Sequence, residues 1–150
     1  MMKDFQGPGF SLQIPTDWLI TSDQNFQAIF LAINESKPRP NLSIAMRKLD
    51  DDVTLADVIN ITQRTKQEQY ENYQSLESIQ PSEFAWIHRY QWHQPELGIG
   101  IYQVQVAFLV QNILFTLLGT CLVSQVGTYD SVFTDMYSSF RINLTGGLDL

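Results

Sequence analysis

The sequence predicts an α+β domain: a central antiparallel β-sheet flanked by one long and one short helix. Three observations carry that prediction. First, residues 97–129 contain no charged side chain. Within them Tyr102, Val104, Val106, Phe108 and Val110 alternate with Gln103, Gln105, Ala107 and Leu109, the period-2 pattern of a strand with two unlike faces. Second, a second apolar run, 113–122, follows Gln111-Asn112, a spacing and residue type that suit a tight hairpin turn. Third, a polar segment rich in Gln, Lys and Glu after Thr54 has helical spacing of its apolar residues, so strands, long helix, strands and short helix succeed one another in order.

In chain order, Phe10, Leu12 and Ile14 alternate with Ser11 and Gln13, a first strand stopped by Pro15. The turn Pro15-Thr16-Asp17-Trp18 delivers Trp18 into the core. Residues 27–33 form a nearly continuous apolar strand, 34–40 a polar loop with two prolines, and 41–47 a third strand (Leu42, Ile44 and Met46 against Ser43 and Ala45). The opening third therefore reads as an antiparallel meander. Thr54 is a good N-cap, and Asp50-Asp51-Asp52 and Asp57 crowd the N-terminal end of the polar segment, as a helix dipole favours. Leu55, Val58, Ile59 and Thr62, later Tyr70 and Tyr73, then predict an amphipathic helix from 55 to about 70 with one face docked on the sheet. Residues 75–80 read as a strand ended by Pro81. Residues 85–93 alternate, with Trp86, His88, Tyr90 and Trp92 on one face. After the central hairpin, Tyr129, Val132, Phe133, Met136, Tyr137 and Phe140 mark the short helix, and 141–143 a last edge strand. Residues 1–144 read as one domain, 145–150 as a frayed, flexible tail.

Bulk properties exclude several function classes. A net charge of −7 with nine thinly spread basic residues offers no phosphate-binding patch, so no nucleic acid is expected, and it would be repelled by an anionic membrane surface. Gln103, Gln105, Gln111 and Asn112 break the uncharged stretch, so the chain is not expected to span a membrane. Cys121 is the single cysteine and permits no intrachain disulfide; with no apolar leader after Met1, the chain reads as cytoplasmic.

The catalytic inventory is close to empty, and no enzymatic activity is expected. Cys121 lies in an apolar strand, where a free cysteine behaves as a small hydrophobe. His88 and His93 are five apart, point to opposite faces and have no Cys or Glu at ligand spacing, so no metal site is expected. Asp50-Asp51-Asp52 lacks the later Gly and Glu of a calcium loop, and Gly98-Ile99-Gly100 lacks the third glycine of a phosphate loop, so no cofactor is expected either. Two features could mark binding: the row Trp86, His88, Tyr90, Trp92, which reads more readily as a buried sheet face against the long helix, and the face Gln103, Gln105, Ala107, Leu109, which reads equally as an ordinary surface strand. A groove with apolar walls and a few amides suits a mostly apolar partner, because the walls bury its side chains while the amides satisfy its polar groups.

Gly9-Phe10-Ser11-Leu12-Gln13-Ile14-Pro15-Thr16-Asp17-Trp18 resembles the opening G-F-S-x-x-x-P-x-x-W of PsbP-like domains, and Ser138-Ser139-Phe140-Arg141-Ile142 resembles their closing S-F-[RK]-apolar signature. The resemblance spans about residues 9 to 142 and implies the PsbP-like fold. That fold hosts photosystem II extrinsic proteins, a nuclear-import factor and the bacterial DcrB-related group. The DcrB-related group includes EagR-like chaperones, which hold apolar transmembrane segments of type VI secretion effectors. Residues 103–109, Gln-Val-Gln-Val-Ala-Phe-Leu, look like the glutamine-bearing sheet face of that group. The resemblance thus implies a non-enzymatic adaptor or chaperone, homodimeric, that binds a protein partner's apolar or transmembrane-like segment on its sheet face. The alternative it implies is an accessory or assembly subunit of a photosynthetic or other membrane complex.

Overall fold

The computed structural model describes residues 1–144, so the tail expected at 145–150 lies outside the described residues. The strands are β1 (Met2–Gly7), β2 (Phe10–Pro15), β3 (Leu19–Thr21), β4 (Ala28–Leu31), β5 (Asn41–Lys48), β6 (Glu71–Ser82), β7 (Ala85–Gln94), β8 (Ile99–Val110), β9 (Ile113–Leu122) and β10 (Arg141–Ile142). The helices are α1 (Leu55–Gln69) and α2 (Val126–Ser138). A seven-stranded sheet has the order β3-β4-β5-β9-β8-β7-β6, and a three-stranded sheet the order β1-β2-β10; every pairing is antiparallel. The α+β class and the sheet-with-two-helices architecture are thus as the sequence predicts.

The uncharged hairpin is central because its two strands occupy the middle of the large sheet. Its turn residues Gln111 and Asn112 both have positive φ, 52° and 65°, the geometry of a two-residue hairpin whose twist matches its strands. Val110 pairs with Ile113, and the register runs unbroken to Ile101 opposite Leu122.

Alternation along β8 divides the molecule. Tyr102, Val104 and Val106 turn toward β2 and α2, where with Phe10, Leu12, Ile14, Phe30, Phe115, Leu117, Phe133 and Met136 they form the main core. Gly119 of β9 faces the same way, and a Cβ there would lie 2.8 Å from Phe133 Cγ, so α2 packs directly onto the sheet backbone. Arg89 of β7 ties this layer together: its Nε donates to Asp130 Oδ1 at 3.1 Å, and one terminal nitrogen donates to Thr134 and Tyr137 hydroxyls, each at 3.0 Å. On the opposite face α1 closes a smaller cluster of Leu55, Trp86, Ala107 and Leu114.

Four details differ from the sequence expectation. β2 does not join a meander with β4 and β5; it pairs with β1 and β10 in the small sheet. β1 has no signal of its own in the sequence because Lys3, Asp4 and Gln6 mask any alternation; it is held as a hairpin partner of β2, with Met2 and Phe5 packed against the main core. β6 runs through Pro81 to Ser82, which is tolerated because β6 is an edge strand whose register shifts there. Finally, Tyr70 caps α1 and Tyr73 lies on β6, so the helical spacing of Tyr73 is coincidental.

Candidate functional site

The two sequence features that could mark binding are one surface. Register places Trp86 opposite Ala107, His88 opposite Gln105 and Tyr90 opposite Gln103, so the aromatic row of β7 and the glutamine row of β8 share the face that α1 covers. β9 extends it with Thr116, Leu118 and Thr120, which pair with Ala107, Gln105 and Gln103.

α1 sits over this face because a capping box starts it at the right place. Asp57 N–H donates to Thr54 Oγ1 at 3.2 Å, and Thr54 N–H donates to Asp57 Oδ2 at 3.0 Å. Leu55 and Lys66 are the buried residues of its inner side. Lys66 reaches the centre of a polar network. Its Nζ is bonded to Gln105 Oε1, lies 3.2 Å from His88 Nδ1 and sits 3.7 Å from the Tyr90 ring centroid, a cation–π distance. Tyr73 Oη and Ser75 Oγ lie 3.0 and 3.1 Å from His88 Nε2. A neutral imidazole fits all of these contacts, accepting from Lys66 and donating from Nε2.

Burial sets the electrostatics. Desolvation pulls Lys66 down to about 7. Desolvation, reinforced by the Lys66 charge, pulls His88 down to about 4. Tyr90 is pushed far above its ordinary value, first by burial and then by Tyr70 and Tyr73. Cys121, on the other face, is fully buried and pushed up to about 12 by desolvation and then by Asp130.

The eight candidate residues separate by accessibility. Trp86, His88, Tyr90 and Ala107 are essentially fully buried and serve packing. Trp92 is half-buried, stacked at 4.3 Å under Tyr70, and its Nε1 donates to Gln103 Oε1 at 3.1 Å. Gln103 in turn donates to Thr120 Oγ1 at 3.1 Å, so its amide is committed to the sheet. Leu109 is half-buried against the α1 cluster. Of the eight, Gln105 and one side of the Tyr90 ring line open space.

That space is a groove between α1 and the β5–β9 side of the sheet. One lobe, of about 650 Å³, has Val53, Val58 and Ile61 on one wall and Leu114 and Thr116 on the other, with Arg47, Lys48 and Asp50 also in its lining. A second lobe, of about 300 Å³, contains Lys66, Tyr70, Tyr90 and Leu118, and both lobes share Ile61, Thr62, Gln105 and Thr116. The groove exists because α1 lies toward β6 and β7, where Gln63 Nε2 donates to Ser78 Oγ at 3.4 Å, and leaves β5 and β9 uncovered. Ile61 is 59% exposed on its rim. Sequence reasoning missed Lys66, Ile61 and Thr116. The first two sit in a polar helix and the third in an apolar strand, and only the pairing of β9 with β8 brings them together. Among the described residues no cluster of His, Cys, Asp or Glu is arranged to hold a metal ion. No helix among them is long and apolar enough to cross a membrane.

Comparison with known proteins identifies the fold and the family. The structure is similar to PsbP (CyanoP) of Synechocystis sp. PCC 6803, at TM-score 0.69 and 14% identity over 94% of this chain and 92% of that one. It is equally similar to LpqN of Mycobacterium tuberculosis, described as involved in cell envelope biogenesis, at TM-score 0.69 and 16% identity over 95% and 91%. PA94 of Pseudomonas aeruginosa is similar at TM-score 0.64 and 17% identity over 89% and 91%. At these identities the likeness shows the fold, which is PsbP-like. No curated protein sequence matches the chain. A family model does, over residues 1–86 and thus more than half the length, and by that match the chain belongs to the Lpp-LpqN family, described as probable lipoprotein LpqN.

Proposed function

We propose that this protein is a non-enzymatic accessory protein that holds an apolar segment of a protein partner in the groove beside α1. The observation that carries the reading is the groove itself: apolar walls from Val58, Ile61, Leu114 and Leu118 around a floor of Gln105 and Thr116. Such a lining buries apolar side chains and still offers an amide and hydroxyls to the partner's backbone. The absence of a catalytic role is supported by the two candidate groups. Cys121 is sealed in the core as a thiol, and both ring nitrogens of His88 are engaged within the protein. An apolar segment of a type VI secretion effector, held in the cytoplasm by a homodimer of this chain, is one partner of this chemistry.

A second reading is favoured by the family. The lipoprotein description, and the cell-envelope role given for LpqN, support an accessory subunit that uses the same groove within a membrane-associated complex. Fractionation of native cells separates the two, a soluble pool supporting the chaperone and a membrane-bound pool the envelope subunit.

The groove reading is tested with a dye-labelled, Leu/Ala-rich transmembrane-like peptide and fluorescence anisotropy. Native protein is expected to bind it saturably. Thr116→Phe, which fills the floor shared by both lobes, is expected to weaken binding at least about tenfold, with thermal unfolding showing the fold retained. Unchanged affinity in a folded Thr116→Phe protein would sink the reading.

A further inference from the structure

The smaller lobe of the groove contains a cation, Lys66, and no anion; Arg47, Lys48 and Asp50 line the larger one. Among the described residues both ion pairs belong to Arg89, and neither involves Lys66, which is only 6% exposed. An ammonium has three N–H donors; Gln105 Oε1 and His88 Nδ1 take two, and no described acceptor takes the third. Lys66 lines the smaller lobe, its Nζ otherwise facing only the Tyr90 ring at 3.7 Å. Buried charges in folded proteins are normally paired. A lysine held at the end of an open groove against neutral acceptors and an aromatic ring is therefore half of an ion pair.

The lining narrows what supplies the other half. The Thr65 hydroxyl donates within α1 to the Ile61 carbonyl at 2.8 Å, while Thr62, Gln69 and Gln105 offer hydrogen-bonding groups around the same lobe. A plain alkyl carboxylate would leave them unmatched, whereas a peptide backbone can use them. The larger lobe is lined by Arg47 and Lys48 together with Asp50, and the chain's net charge of −7 disfavours a strongly anionic ligand at long range, so at Lys66 a single local charge fits better than several. We propose that the groove selects an apolar peptide segment carrying one carboxylate, seated against Lys66 Nζ. This rests on the groove reading above and adds the partner's charge to it.

The pairing has a pH signature. The titratable groups packed around Lys66 are Tyr70 at the end of α1, Tyr73 on β6, and His88 and Tyr90 on β7; β8 and β9 present neutral Gln105, Thr116 and Leu118. The three tyrosines are pushed upward by burial and His88 down to about 4, so Lys66, at about 7, is the group in this cluster that changes charge near neutrality. Above that pH the amine must take up a proton to pair with a carboxylate, and affinity falls.

The test uses three labelled Leu/Ala peptides of equal length: one amidated with a central Glu, its amidated Gln twin, and the Gln peptide with a free C-terminus. The Glu peptide is expected to bind about tenfold more tightly than its Gln twin at pH 6. That advantage is expected to shrink as pH rises past about 7 and to vanish in Lys66→Met and Lys66→Gln, whose folding is checked by circular dichroism. Preference for the free C-terminus over the Glu peptide would assign the carboxylate to a chain end and support the proposal equally. Equal binding of all three to native protein would overturn it while leaving the groove reading intact. Failure of all three to bind would overturn both.

Discussion

The two faces of the central sheet are built from the same strands and finished in different ways. Toward α2, β8 contributes Tyr102, Val104 and Val106, and the layer closes with aromatic rings packed on a glycine. Toward α1 the same strand contributes Gln103, Gln105 and Ala107, and the layer closes with a lysine, a histidine and a helix that leaves β5 and β9 open. A face that is sealed contributes stability. The other face, with a buried polar network and a groove left beside it, gives up part of that stability for a place to bind. The difference teaches where mutation should be costly and where it should matter only to a ligand.

The largest contrast comes from Phe133 and Ile61. Phe133→Ala removes a fully buried ring wedged against Gly119 and is expected to cost about 3–5 kcal/mol in urea unfolding. Ile61→Ser, on the groove rim, is expected to stay within about 0.5 kcal/mol of the native protein. Comparable losses in both would mean that the α1 face is sealed as tightly as the other.

Acid should find the α1 face first. The folded-state value of His88 is lowered from 6.5 to about 4, so as pH falls the unfolded chain takes up the proton before the native one. The stability this neutral histidine contributes is present above about 6.5 and is lost as pH falls toward about 4. Lys66 acts in the same sense over a higher range. Lowered from 10.5 to about 7, it penalises the native state fully below about 7 and less as pH rises above it. Across pH 6.5 to 4, the native protein is expected to lose about 2–3 kcal/mol more than His88→Gln, the carboxylates common to both cancelling in the difference. Parallel pH profiles would remove His88 from the account of acid sensitivity.

Much of this division is legible in the residues. Alternation in β8 separates the faces because each has uniform chemistry over several consecutive positions, and Thr54 with Asp57 marks the start of α1 before any geometry is known. The groove is not legible, for a physical reason. Lys66 stands among Gln, Arg, Thr and Glu, where a lysine is ordinarily solvated, and its burial is decided by His88 and Gln105, 22 and 39 residues away. The burial of Trp86, His88 and Tyr90 is open in the sequence for the same reason, since a row of aromatics looks alike whether or not a helix lies on it. β1 is hidden because a strand stabilised by its hairpin partner need not carry an apolar pattern of its own.

The smallest effect tests whether the two faces are separate at all. Thr54→Ala removes one half of the capping box and is expected to cost about 1 kcal/mol. α1 meets the sheet through few fully buried residues, Leu55 and Lys66, whereas α2 is anchored by Phe133 and Met136 in the main core and by Arg89 across its flank. The loss should therefore be felt as local opening of α1. Amide hydrogen exchange is the measurement: α1 amides are expected to exchange several-fold faster in Thr54→Ala, with α2 amides unchanged. Equal acceleration in both helices would show one cooperative unit. In that case the groove would be an incidental gap in a single core, because a face that could not open without unfolding the other could not admit a partner segment by moving its helix.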